Sequence, residues 1–117
     1  MRRSDLDRLR DALRHVQNAL DLWAGMTPDA LERDRVAYQS ILFDLIIIGT
    51  TFAEVPTSVR NVADAIPWRA IIRTRNRLVH AYWNDSVEFV VGLLDRDLPN
   101  LLPQLSKLID HLEQDES

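Results

Sequence analysis

The chain has 117 residues, 46% of them apolar, and a net charge of −4. That length and apolar content suit one compact domain spanning 1–117, and the acidic balance argues against a general nucleic-acid coat protein, whose binding rests on many phosphate contacts. Cysteine is absent, which excludes disulfides and thiolate chemistry, and His15, His80 and His111 have no metal-ligand spacing, so no metal or other cofactor is expected.

Ser4 is a candidate N-cap. Leu6, Leu9, Leu13, Val16, Leu20 and Trp23 then follow at alternating spacings of three and four, which predicts a first helix with a narrow buried seam, ending near Gly25. Thr27 caps a short helix with Pro28 in its first turn, and Asp34 caps a second long helix running to about Glu54. From Ile41 to Ile48 that helix is apolar nearly all round, which makes it central. Asp44 in its middle either pairs with an arginine or a hydroxyl, or faces a site and orients Arg75 or His80. Gly49 marks close helix packing. The stretch of 41–49 is the longest apolar run and falls short of a membrane span, while Met1-Arg2-Arg3 leads into charged sequence. Both point to a cytoplasmic chain with no membrane partner.

Pro56 stops the second helix, and Thr57 to Ala65 reads as a connecting turn or short helix before Pro67-Trp68 opens the third. The third helix is expected to end near Trp83, where Asn84-Asp85 breaks it. Asp85 with Glu88 would form a capping box for the last helix. That helix has a broad apolar face through Val90, Leu94, Leu98, Leu101, Leu105, Leu108 and Leu112, and Pro99 and Pro103 must kink or split it. Strand-like alternation appears nowhere. The expected fold is all-α, an up-and-down four-helix bundle with a kinked C-terminal helix.

The third helix carries the chemistry. Between Trp68 and Tyr82 stand four arginines (69, 73, 75, 77) and no acid, a local anion site on an acidic body. On a helical wheel Ile71, Leu78 and Tyr82 stack on one side, widened by Trp68, Ile72 and Val79, and Arg75 falls inside this apolar arc. Burying a guanidinium without a partner is costly, so its position implies a buried anion or a functional site. Asn76 and His80, four residues apart, sit together at the rim beside Trp83. Histidine trades protons near neutrality, and Arg75 or Arg77 can fork a phosphate. Asn76 can fix a tautomer or hold a substrate oxygen, and Tyr82, seven residues after Arg75, shares its face. Together these suit phosphodiester cleavage without metal, with RNA as the natural substrate. Spacing alone is weak evidence, because Arg10 and His15 repeat it on a helix that reads as ordinary bundle. His15 and His111 are expected to be structural or solvated, and Trp68 and Trp83 to fill a core or interface.

Arg75-Asn-Arg-Leu-Val-His80-Ala-Tyr82 resembles the R-x4-H-x-Y signature of HepT-like toxins in the HEPN superfamily. Ile66-Pro67-Trp68-Arg69, Ile47-Ile48-Gly49 and Asp97-Leu98-Pro99 extend the likeness nearly end to end. The resemblance implies a homodimeric, metal-independent ribonuclease with two motif copies at a composite site, encoded beside a minimal nucleotidyltransferase antitoxin. It further implies that Arg75 and His80 are catalytic, that Asn76 supports them, and that the antitoxin silences the toxin by transferring AMP to Tyr82. The chain departs from the pattern at two places: Thr50 replaces an acid common after the glycine of the second helix, and Asn84-Asp85-Ser86 replaces an acidic-hydrophobic segment. Because some HEPN proteins are inactive, a non-catalytic scaffold or ligand-binding module is the alternative. The apolar arc around Arg75 and the apolar second helix together exceed what one small domain hides, which favours a two-fold homodimer with the motif helices near the axis.

Overall fold

The computed structural model describes residues 3–81 and 86–116, and every regular element in them is helical. Helix α1 (Arg3–Trp23) is followed by α2 (Pro28–Arg33), α3 (Arg35–Ala53), the single-turn α4 (Thr57–Arg60) with a 3-10 turn (Asn61–Ala63), and α5 (Trp68–Ala81). The last long element is continuous from Val87 to Glu116: α6 (Val87–Gly92), a π-helical stretch (Leu93–Asp97) and α7 (Leu98–Glu116). The expected all-α bundle is thus observed, with α3 packed between α1 and α5, and α7 against α1.

Local chemistry sets most boundaries. Trp23 ends α1, and Gly25 takes the left-handed conformation (φ 80) that turns the chain toward α2. Thr27 Oγ1 accepts the Ala30 amide and Asp34 Oδ1 accepts the Ala37 amide, so both expected caps form. Two others do not. Because α1 has begun by Arg3, Ser4 lies inside its first turn and does not cap it. The cap of α6 is Ser86, whose hydroxyl accepts the Phe89 amide, whereas Asp85, Tyr82, Trp83 and Asn84 lie outside the described residues.

The proline-rich helix is accommodated by widening. In the stretch before Pro99 the hydrogen bonding shifts to the wider π pattern, with the Leu98 amide donating to Leu93 O, and Pro99, which has no donor, follows directly. Pro103 then lies within α7. Trp23 Nε1 donates to Asp95 Oδ1 at 2.9 Å, tying the end of α1 to this segment.

The core is one apolar cluster drawn from every long helix. Leu6, Leu9, Ala12, Val16 and Ala19 of α1 meet Ile41, Leu45, Ile48 and Phe52 of α3, and Leu94, Leu98, Leu101, Leu105 and Leu108 close the other side. By length and composition alone α3 could cross a membrane, yet here it is the inner helix of a bundle. It is central, as expected, but not buried all round. Phe43 is 58% exposed and Val36 78%, so one stripe of α3 faces outward.

Asp44 is buried, and its partner is neither an arginine, a hydroxyl nor the motif. His15 Nδ1 donates to Asp44 Oδ1 at 2.7 Å, with Phe43 packed edge-on against the imidazole at 5.9 Å. The decoy histidine is therefore structural, and it joins α1 to α3. Removing one member strands a buried polar atom, which costs about 1–3 kcal/mol. Asp44→Ala and His15→Ala should each lower urea-unfolding stability on that scale, and the double variant should lose less than their sum. Additive losses would mean that the two side chains do not act as a pair.

Candidate active site

The position of α5 is set at its start by aromatic packing and by an arginine. Arg60 donates from Nε to Val55 O at 2.9 Å and from Nη2 to Phe52 O at 3.1 Å, satisfying carbonyls at and just beyond the C-terminus of α3. Its guanidinium also lies over Trp68, 5.9 Å from the ring. Trp68 stacks obliquely on Phe52 at 4.7 Å and donates from Nε1 to Ala63 O at 3.0 Å. The expectation that Trp68 fills the core is met.

From there α5 runs antiparallel to α3 and packs tightly against it at Gly49. A β-carbon at Gly49 would lie 2.1 Å from Cβ of Arg75, 2.8 Å from its Cγ and 3.2 Å from the Ile71 carbonyl oxygen. Only a residue without a side chain fits there. The Arg75 stem lies across this glycine, half-buried, and its Nε donates to Thr50 Oγ1 at 3.0 Å. Thr50 in turn donates its hydroxyl proton to Ile46 O at 2.8 Å, which leaves a lone pair aimed at the arginine. At the outer end Arg75 Nη1 donates to Asn76 Oδ1 at 2.7 Å. Among the described residues no carboxylate pairs with Arg75. The guanidinium is held by neutral acceptors and keeps its charge uncompensated at the edge of the exposed face.

Arg77 is placed differently. Its guanidinium stacks on Phe89 of α6, 3.7 Å from the ring centroid. Of the two arginines the sequence offered as a phosphate fork, Arg75 is the one lodged between α3 and α5.

Asn76 and His80 are both exposed and share the outer face of α5, as their spacing requires. His80 does not converge on Arg75 within the chain. Five residues of helix put the two side chains about 140° apart and about 7.5 Å apart along the axis. Leu78, the apolar centre of the arc, is fully buried, but Val79 is 41% exposed. Tyr82 falls outside the described residues.

Thr50 is the residue whose role the sequence did not disclose. It was visible only as a departure from a pattern; nothing in its own type marks it as the acceptor for Arg75. Arg10, of the decoy pair, is bound to Glu113 at 3.2 Å and Asp7 at 3.5 Å, and His111 is exposed beside Asp115. A cleft of about 560 Å³ lined by Pro67, Ile71, Thr74, Leu98 and Gln104, among others, contains neither Arg75 nor His80. Among the described residues no three His, Asp or Glu side chains gather as a candidate metal site.

The chain is an all-α bundle with an arginine braced at a helix crossing and a histidine five residues further along the same helix. The chain belongs to the ribonuclease HepT-like family, whose sequence profile matches residues 5–108. It is 24% identical over 105 residues to a Methanocaldococcus jannaschii protein provisionally named an RNase, covering 90% of this chain and 87% of that one. It is 29% identical over 112 residues to the "Probable ribonuclease HepT" of Thermococcus cleftensis, covering 92% and 98%. A third relative, from Caldanaerobacter subterraneus subsp. tengcongensis and also provisionally named an RNase, is 21% identical over 101 residues, 86% of this chain and 90% of its own. No solved structure matches the chain significantly.

The helix crossing gives a direct test. Gly49→Ala must push α5 away from α3 or displace Arg75, and overpacking of this kind costs about 1–3 kcal/mol. Thr50→Val removes two hydrogen bonds, but water can serve the half-exposed guanidinium and Ile46 O lies inside a helix that supplies its own amide donor, so the net cost is about 0.5–1.5 kcal/mol. Urea unfolding should therefore rank Gly49→Ala as the more damaging substitution; the reverse order would show that the crossing is not tight.

Proposed function

We propose that this chain is a toxin ribonuclease of a toxin-antitoxin pair, cleaving RNA phosphodiesters without a metal, with Arg75 and His80 catalytic and Asn76 in support. The observation that carries it is the setting of Arg75: a guanidinium fixed by Thr50 and Asn76 with no carboxylate partner among the described residues. A structural arginine in such a place would ordinarily be neutralised, whereas one awaiting a phosphate would be held by neutral acceptors. Family membership and the provisional RNase names of the relatives point the same way.

In this reading His80 takes the proton of a ribose 2′-hydroxyl, or supplies one to the leaving group. The 2′-oxygen bonds to phosphorus, the bond from phosphorus to the 5′-oxygen breaks, and Arg75 stabilises the charge that builds on the phosphorane. The products are a 2′,3′-cyclic phosphate and a 5′-hydroxyl. Because His80 and Arg75 diverge around α5, the functional unit is a homodimer in which two copies of the motif helix complete a composite site. The outward stripe of α3, with Val36 and Phe43, and Val79 of α5 supply the apolar surface for it.

Regulation follows the family's logic. A nucleotidyltransferase antitoxin would join the Tyr82 phenolic oxygen to the α-phosphorus of ATP and release pyrophosphate. By sequence spacing alone, seven residues from Arg75 is the same side of a helical wheel, so AMP on Tyr82 would bring bulk and negative charge where an RNA phosphate would otherwise dock.

One set of reactions tests all of this. Purified wild type should cleave RNA in chelator to 2′,3′-cyclic ends, His80→Ala and Arg75→Ala should each abolish cleavage, and Arg10→Ala should leave it intact. Pretreatment with the antitoxin and ATP should add AMP at Tyr82 and silence the enzyme. A folded wild type that cleaves no RNA would favour the scaffold alternative, and cleavage surviving loss of His80 would overturn the mechanism.

A further inference from the structure

The arginines of α1 and those of α5 are treated in opposite ways. On α1, Arg8, Arg10 and Arg14 each pair with an acid three residues earlier, Asp5, Asp7 and Asp11. On α5 there is no acid between 68 and 81. Arg75 is lodged against Thr50 and Arg77 lies on Phe89. Arg69 and Arg73 remain, both exposed, with no ion pair, hydrogen bond or ring contact among the described residues.

These two are in line with the motif. Taking about 100° per residue, Arg69, Arg73, Asn76 and His80 fall within an arc of about 60° and span about 16 Å of helix axis. All four are exposed. The row is therefore a polar, cationic stripe that starts near the beginning of α5 and ends at the histidine assigned to catalysis. Among the described residues it holds no large apolar or aromatic group, unlike the buried centre of a protein–protein interface. On a body of net charge −4, such a stripe is a narrow path for a polyanion.

We propose that the outer face of α5 is a backbone track for single-stranded RNA, in which Arg69 and Arg73 hold successive phosphates and lead the strand to Asn76 and His80. This rests on the ribonuclease reading and adds where the strand runs. Guanidinium contacts to phosphate position a strand without reading its bases, so the track supplies affinity and direction but no sequence preference.

The test is binding of a fluorescein-labelled, fully 2′-O-methylated RNA oligonucleotide, which cannot be cleaved, followed by anisotropy at several salt concentrations. Each phosphate contact in a single strand contributes about 0.7 to the slope of log affinity against log salt. Arg69→Gln and Arg73→Gln should each lower the slope by about 0.7 and weaken binding about fivefold at 0.1 M salt. Arg33→Gln, an exposed arginine on α2, should match wild type. Equal losses in all three variants, or wild-type slopes in the Arg69 and Arg73 variants, would overturn the track. Cleavage of an unmodified oligonucleotide by wild type is measured in parallel. If wild type cleaves while the slopes do not move, the track alone fails; if wild type neither binds nor cleaves, the ribonuclease reading fails with it.

Discussion

The contact on which the rest of this structure depends is the approach of α5 to α3 at Gly49. An arginine stem cannot lie across a helix unless that helix presents bare backbone, and Gly49 presents it where Thr50 supplies an acceptor for Nε. The bonds upstream serve this crossing. Arg60 on the α3 carbonyls and Trp68 on Phe52 fix where α5 begins, and the helix carries Arg75 to the glycine and His80 beyond it. The guanidinium is thereby oriented at both ends, by Thr50 and by Asn76, without being neutralised. Preorganised positive charge of this kind acts on a developing anion without further rearrangement.

The same crossing explains why one chain is not the whole proposed site. A helix that turns Arg75 inward toward α3 must turn His80 outward, because five residues are not a whole number of turns. Closing that gap in the proposed mechanism falls to a second motif helix, and outward apolar side chains on α3 and α5 offer a surface for it. Phe43 and Val36 stand outward on α3, the helix that braces Arg75, and Val79 stands outward on α5. An exposed phenylalanine on the central helix of a small bundle is costly as solvent surface and useful as an interface.

Much of the fold was legible because its signals are local and periodic. The seam of α1, the caps at Thr27 and Asp34 and the apolar face from Val90 to Leu112 rest on spacing or on one hydroxyl or carboxylate near one amide. Partners distant in sequence were not legible. Nothing near Asp44 names His15, twenty-nine positions earlier, and nothing near Thr50 names Arg75, twenty-five later. Gly49 was read as a packing glycine, but what it packs against emerges only when α3 and α5 are side by side. The cap at Asp85 misled because Ser86, one residue on, has the same chemistry and the better register. The outward stripe of α3 was legible only as an excess of apolar surface, because apolar residue types do not tell which positions, here Val36 and Phe43, the neighbouring helices leave uncovered.

The central claim of the proposed mechanism is that a second copy completes the site across the outward apolar stripe of α3, and sedimentation of Phe43→Glu, measured together with its RNA cleavage, tests it most directly. Phe43 is more than half exposed in the single chain and meets the His15 ring only edge-on, so the substitution should leave the helical fold intact by circular dichroism. Wild type should sediment as a dimer at micromolar concentration and cleave RNA, while Phe43→Glu should sediment as a folded monomer that does not. A monomeric wild type that cleaves RNA, or a monomeric Phe43→Glu variant that retains full activity, would contradict the account.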